Sequence, residues 1–268
     1  MSDSSEFSKM PADISGNKSE STNSSDLNDV FPNIPFAEAL FELICVFSVL
    51  YLPYILKMLV VGVDMSKYSQ SLGAEQYMAI LSQGILASII IGFILYKNRQ
   101  PVSSIGLHTR DFVDEISVAI ISFLGILAVV FFVGVLASFV FKANQVKEIN
   151  SNDVQIANMF ASIPVWAIPL FCIFVGYYEE LVFRGFFITR LRCILRNDWL
   201  AVIVSSAFFA SAHFYEGIFK MIMIFGLACF LGGVFVIRRS LIAPIIIHTL
   251  FDFTFIMLAK FASEFISG

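Results

Sequence analysis

Long apolar blocks alternate with short polar segments along most of the chain. A helix that crosses a bilayer needs about 20 mostly apolar residues, and seven stretches meet this requirement. They lie at about 36–63, 78–96, 115–141, 163–183, 199–215, 218–237 and 241–260. The first contains Pro53 and Lys57, so a kink and an interfacial continuation both stay open. The pattern predicts an all-α, polytopic transmembrane bundle of about seven spans, and an eighth span stays open.

The composition agrees with a lipid environment. Of the 268 residues, 58% are hydrophobic and only 14% are charged, whereas soluble domains carry about 25% charged residues. A soluble fold could not bury this much apolar surface, so the bilayer is the expected solvent and partner. The formal net charge of −4 adds little, because much of the acid lies near the N-terminus.

The chain divides into four parts by composition. Residues 1–35 are rich in Ser, Asn, Asp and Glu, which indicates a disordered tail, and they contain no signal-peptide apolar region. Residues 36–162 hold the N-terminal transmembrane helices, residues 163–260 a membrane core, and residues 261–268 a short tail.

The distribution of Lys and Arg predicts the orientation. One predicted side carries eight basic residues, Lys97, Arg99, Arg110, Arg190, Arg192, Arg196, Arg238 and Arg239. The other side carries five, Lys67, Lys142, Lys147, Lys220 and Lys260. The N-terminus falls on the richer side and is therefore predicted to be cytoplasmic.

Several kinds of site have no support in the sequence. The four cysteines, Cys45, Cys172, Cys193 and Cys229, lack metal-ligand spacing and are expected to be buried hydrophobic residues. There is no Gly-rich phosphate loop and no basic patch with interleaved aromatics, so no nucleotide or nucleic-acid partner is predicted. Nothing predicts the oligomeric state.

Ionisable residues inside the C-terminal apolar segments carry the functional signal, because such residues are costly in a membrane and usually mark function. Glu179 and Glu180 end an apolar run, and Arg184 follows Glu180 by one helical turn. That spacing predicts an ion pair between Glu180 and Arg184. Glu179 then has no local partner and becomes a candidate general base.

Two histidines complete the set. His213 lies late in the fifth predicted span, with Phe209 one turn before it, and His248 lies four residues before Asp252 in the seventh. A carboxylate beside an imidazole can fix its tautomer. Each group alone is typical of a solvated helix end or a structural polar residue, but together they predict one polar cavity in the bilayer.

These residues form three ordered motifs that resemble the family of CAAX prenyl proteases and bacteriocin-processing enzymes, the CPBP or Abi family. The family pattern is EExxxR, FxxxH and HxxxN or HxxxD on successive spans. Here it reads Glu179-Glu180-x-x-x-Arg184, Phe209-x-x-x-His213 and His248-x-x-x-Asp252. The resemblance covers about residues 163–260, which it identifies as a catalytic core.

The resemblance implies intramembrane proteolysis. Glu179 and His213 would hold and activate a water, while Glu180 and Arg184 would support Glu179. The implied substrates are membrane-anchored proteins or peptides, either prenylated CAAX-like proteins or peptide precursors such as bacteriocins.

His248 and Asp252 would stabilise the oxyanion or complete the site. Prenyl proteases of the family typically carry Asn at the last position, and an ionised Asp252 would be a poor oxyanion donor. It is therefore expected to orient His248 or to bind a metal. The expectation is that no metal is obligatory; the alternative is Zn²⁺, held by Glu179, His213, His248 and Asp252.

Two other classes of function stay open. The first is a non-catalytic scaffold or bacteriocin-immunity protein with the same fold. The second is a transporter whose intramembrane Glu and His form a relay. A transporter would spread polar groups over both halves, whereas the first three predicted spans are expected to hold only Lys57 and small polar residues such as Gln83, Ser88 and Ser122.

Overall fold

The structure, a computed structural model, describes residues 32–61, 74–108, 111–140, 163–214 and 217–267. Most of the predicted N-terminal tail lies outside these ranges, as do four of the basic residues that entered the orientation argument, Lys67, Arg110, Lys142 and Lys147.

Within these ranges the chain is helical and contains no strand. The α-helices are α1 Phe36–Val61, α2 Ala74–Lys97, α3 Phe112–Val140, α4 Ile168–Glu180, α5 Thr189–Leu195, α6 Asp198–Ser211, α7 Ile218–Arg238 and α8 Ile242–Ser267. A π-helical segment, Leu181–Ile188, joins α4 to α5 in one continuous helix. Short 3-10 helices occupy Val102–Ile105 and Val165–Ala167. The predicted all-α bundle is confirmed.

Among the described residues, six helices are long and apolar enough to cross a membrane. They lie at Phe36–Pro53, Tyr77–Lys97, Phe112–Leu136, Val165–Leu195, Ile218–Arg238 and Ile242–Phe261. The predicted fifth span, 199–215, is corrected to the 14-residue helix α6. At about 1.5 Å per residue, α6 is about 21 Å long and falls short of the ~30 Å hydrocarbon core. Helix α1 continues through Pro53 without a break.

The continuous helix α4–π–α5 is the centre of the bundle. All eight residues of the π segment are buried, and helices α2, α6 and α7 contact that segment. Helix α3 is peripheral, since only 6% of its candidate span is buried. From Ile120 onward, its exposed side chains are apolar, as expected for a lipid-facing helix.

Helices α4 and α8 approach each other closely at Gly176. A Cβ atom there would lie 3.2 Å from the backbone nitrogen of Thr249 and 3.3 Å from the carbonyl oxygen of Ile245. Small residues allow such close contacts between transmembrane helices. The absence of a side chain at Gly176 therefore brings α4 and α8 together one turn from Glu179 and Glu180.

Two buried acids correct the expectation for the first three spans. Glu42 in α1 is buried and accepts a 2.9 Å hydrogen bond from Nε of Arg190, which is also buried. Asn98 donates to the other oxygen of Glu42, and Gln100 accepts from Arg190 at 2.7 Å. The pair ties the N-terminal helices to α5, so Arg190 is a structural ion-pair partner and not a loop charge.

Glu115, the second acid, lies in the first turn of α3. It pairs with Arg238 at 2.8 Å and accepts from the backbone N–H of Ala243 at 3.3 Å. These contacts hold α3 to the turn between α7 and α8. Both acids serve ion pairs at helix ends, which gives no support to a relay through the N-terminal half. The orientation of the N-terminus stays a prediction.

Candidate active site

The predicted ion pair forms where α4 becomes π-helical. Nη1 of Arg184 donates to Oε1 of Glu180 at 2.7 Å, and both side chains are buried. Nη2 of Arg184 donates to the carbonyl oxygen of Ala228 at 3.3 Å, and the guanidinium lies 4.8 Å from the ring centre of Phe209. π-Helical turns are rare and frequent at functional sites. The pair fixes the position of Glu180 inside the bundle.

His248 of α8 lies among three carboxylates. Its Nδ1 is 2.7 Å from Oε1 of Glu180. Its Nε2 is 3.6 Å from Oε2 of Glu179 and 3.5 Å from Oδ2 of Asp252. Four of the residues singled out from the sequence therefore meet at one imidazole, and the hydrogen-bonded partner of the ring is Glu180.

The contact with Glu180 determines the tautomer of His248. Glu180 is paired with Arg184, and an ionised carboxylate can only accept hydrogen bonds. Nδ1 must therefore carry a proton and donate it to Glu180. Nε2 is then the ring atom that faces Glu179 and Asp252.

The acids of the site differ in access to the surface. The side chains of Glu179 and Asp252 are 14% and 27% exposed, whereas that of Glu180 is fully buried. A reacting group must be reachable by substrate and water. Glu179 and Asp252 are thus the carboxylates that substrate and water can reach. Glu180 contacts His248 from the buried side of the site.

Glu179 has a hydrogen-bond donor that the sequence argument missed. The hydroxyl of Tyr178, the preceding residue, donates to Oε1 of Glu179 at 3.0 Å. Adjacent residues on a regular helix point about 100° apart, so spacing alone gave no reason to pair them.

His213 lies in the turn that follows α6. Its Nδ1 is 3.1 Å from the carbonyl oxygen of Phe209, and because a carbonyl only accepts, Nδ1 carries the proton. The Phe209 ring lies between the two histidines, with its centre 4.9 Å from His213 and 6.0 Å from His248. His213 is also within electrostatic range of Asp252. The ring of Phe209 thus joins the FxxxH motif to the other two motifs.

The candidate metal ligands do not form a metal site in the described part of the chain. No group of three or more His, Cys, Asp or Glu side chains there is arranged to hold a metal ion. Of the proposed ligands, His248 donates from Nδ1 to Glu180, which leaves Nε2 as its atom for a metal. The expectation that no metal is obligatory stays a prediction.

The site lies midway along a candidate membrane span, Val165–Leu195. Along the continuous helix, Glu180 is about 20 Å from the end at Leu195, and the hydrocarbon core is about 30 Å thick. Charged groups at that depth require partners or a cavity. The carboxylates, histidines and Arg184 supply such partners to one another.

Residues 161–254 match the family described as Type II CAAX prenyl endopeptidase Rce1-like. We call residues 161–254 the Rce1-like segment, after the family that they resemble. This match is consistent with the CPBP family and confirms the resemblance over that segment. Comparison with curated proteins gives no significant match, and comparison with solved structures gives none either.

The Rce1-like segment contains all six residues that the sequence singled out, and helices α1 to α3 lie outside it. At the level of the family, the match supports a CAAX-type intramembrane protease. Together with the six apolar helices, it indicates an integral, multi-pass membrane protein.

Proposed function

We propose that the chain is an intramembrane endopeptidase that hydrolyses peptide bonds of membrane-anchored proteins or peptides, with Glu179 and His213 activating the water. The observation that carries the proposal is the meeting of Glu179, Glu180 and Asp252 around His248, with both glutamates midway along a candidate membrane span. A cluster that served packing alone would not need two carboxylates open to the surface beside a paired imidazole.

Glu179 is the proposed general base. It takes a proton from water as the water oxygen attacks the scissile carbonyl, and it then returns that proton to the leaving amine. Nε2 of His213, whose Nδ1 proton is committed to the Phe209 carbonyl, accepts a hydrogen bond from the same water. The products are a new carboxylate and a new amine.

His248 is the proposed oxyanion donor. When both ring nitrogens carry protons, the ring donates from Nε2 to the oxyanion while Nδ1 stays on Glu180. Asp252, 3.5 Å from Nε2, holds the ring in place when no substrate is bound. This assignment gives Asp252 a role that an ionised carboxylate can perform.

We expect chelators to leave the activity unchanged. The proposed water activation requires no metal ligand set, and the described side chains do not form one. The measurement is the cleavage rate before and after o-phenanthroline treatment and dialysis. Inhibition that Zn²⁺ reverses would contradict the metal-free scheme and favour metal binding by the same side chains.

We propose prenylated CAAX-like proteins as the preferred substrate class, on the strength of the Rce1-like match. The test uses the purified full chain in liposomes with paired peptides, one farnesylated and one anchored by an unprenylated apolar segment. We expect faster cleavage of the farnesylated peptide at its C-terminal motif. Equal rates, or cleavage of the unprenylated peptide alone, would indicate peptide-precursor processing.

A further inference from the structure

Tyr178 contacts the proposed general base Glu179, although Tyr178 is not itself one of the catalytic candidates. It donates to Oε1 of Glu179 at 3.0 Å, while Oε2 of the same carboxylate faces His248. The two oxygens therefore have different neighbours. The hydrogen bond from Tyr178 fixes the rotation of the carboxylate that is to accept a proton.

The Tyr178 ring is itself held by the N-terminal half of the bundle. It is buried and lies against helix α2 at Gly84. A Cβ atom on Gly84 would be 2.7 Å from Cδ1 of Tyr178 and 2.9 Å from the ring of Phe174. A Cβ atom does not approach another carbon that closely without a bond. A larger residue at position 84 therefore requires the Tyr178 ring, the Phe174 ring or one of the helices to shift.

We propose that Tyr178 is a positioning residue for Glu179 and that Gly84 of α2 forms the slot that holds it. The inference rests on the proposed function, because a positioned base implies a reaction. It extends the catalytic apparatus to α2, which lies outside the Rce1-like segment. One hydrogen bond to a charged group contributes enough free energy to change a rate by about tenfold or more.

The kinetic test compares Tyr178→Phe with Tyr177→Phe. Tyr177 is the matched control, because its hydroxyl makes no hydrogen bond to any residue in the described ranges. We expect Tyr178→Phe to lower kcat about tenfold with KM and the melting temperature unchanged, and Tyr177→Phe to change none of them. An unchanged kcat in Tyr178→Phe would overturn the inference, and so would a loss shared by both variants.

The slot is tested by Gly84→Ala against Gly92→Ala. Gly92 lies on the same helix, and an added Cβ there meets nothing within 4 Å. We expect only Gly84→Ala to lower kcat, and we expect it to have no further effect in the Tyr178→Phe background. An additional loss in that background would show that Gly84 acts through packing and would overturn its assigned role.

A spectroscopic arm separates this inference from the proposed function. The Raman doublet of tyrosine reports hydrogen bonding of the phenol whether or not the protein is active. We expect Glu179→Ala to shift a tyrosine doublet in the wild-type background and not in the Tyr178→Phe background. If the doublet does not shift, the hydrogen bond between Tyr178 and Glu179 does not exist and the inference is wrong. If the doublet shifts but the protein cleaves no peptide, the hydrogen bond exists, and both the proposed function and the positioning role are wrong.

Discussion

Replacing Glu179 by Gln is expected to lower kcat by about a thousandfold. General-base catalysis contributes about 10²- to 10⁴-fold to a rate, and an amide cannot take the proton from water. Gln has the shape of Glu and can still accept the hydrogen bond from Tyr178, so the melting temperature should not change. The measurement is kcat in liposomes beside the thermal unfolding profile of the same preparation.

The matched control is Asp114→Asn. Asp114 is an exposed acid in the first turn of α3, and its substitution removes one carboxylate from the surface without touching the site. We expect wild-type kcat in this variant. Wild-type kcat in Glu179→Gln would show that another group is the base, and Asp252, the other carboxylate open to the surface, would be the next to test.

Arg184→Ala is expected to remove both activity and stability. Arg184 is buried and its Nη1 lies 2.7 Å from Glu180, which is fully buried. Without the guanidinium, the charge of Glu180 is stranded, and breaking a buried pair in this way costs about 3–5 kcal/mol. The displaced Glu180 would also release Nδ1 of His248. The loss is measured as a lower melting temperature in detergent.

A double variant distinguishes two causes of the stability loss in Arg184→Ala, the unpaired charge of Glu180 and the lost packing of the arginine side chain. Adding Glu180→Gln to Arg184→Ala removes the unpaired charge, so we expect part of the lost stability to return while activity stays absent. Arg196→Ala, an exposed arginine on the same continuous chain segment, serves as control and should unfold as the wild type does. Wild-type stability of Arg184→Ala would contradict the ion pair.

The contacts within two of the motifs were predictable from the sequence because helical spacing determines them. Glu180 and Arg184 are four residues apart, as are His248 and Asp252, and both spacings place side chains on one face of a helix. Burial in an apolar segment then leaves these groups few solutions other than one another. The structure has both contacts, at 2.7 Å and 3.5 Å.

Other features depend on tertiary packing, which hydrophobic periodicity does not encode. The π segment has the apolar pattern of an ordinary helix, so nothing in the residue pattern points to it. The pairing of Glu42 with Arg190 joins residues far apart in the chain, and no local spacing points to it. Helix α6 reads as a span by composition, yet Asn197 caps its start and the helix ends at Ser211.

The partner of His248 shows the same limit at the site itself. Local spacing favours Asp252, but Nδ1 of His248 donates its hydrogen bond to Glu180 on another helix. The close approach of α4 and α8 at Gly176 decides this choice. The sequence contains Gly176 four residues before Glu180, but it does not show which helix packs against that glycine.

The most direct test of peptide hydrolysis at this site uses isotopically labelled water. Purified wild type and Glu179→Gln, each in liposomes, are incubated with a membrane-anchored farnesylated peptide in water enriched in oxygen-18, and the fragments are analysed by mass spectrometry. We predict a labelled new carboxyl terminus from the wild type and intact peptide from Glu179→Gln. Intact peptide in both samples, or equal cleavage by both, would contradict the account, the first in favour of a non-catalytic scaffold and the second in favour of a different base.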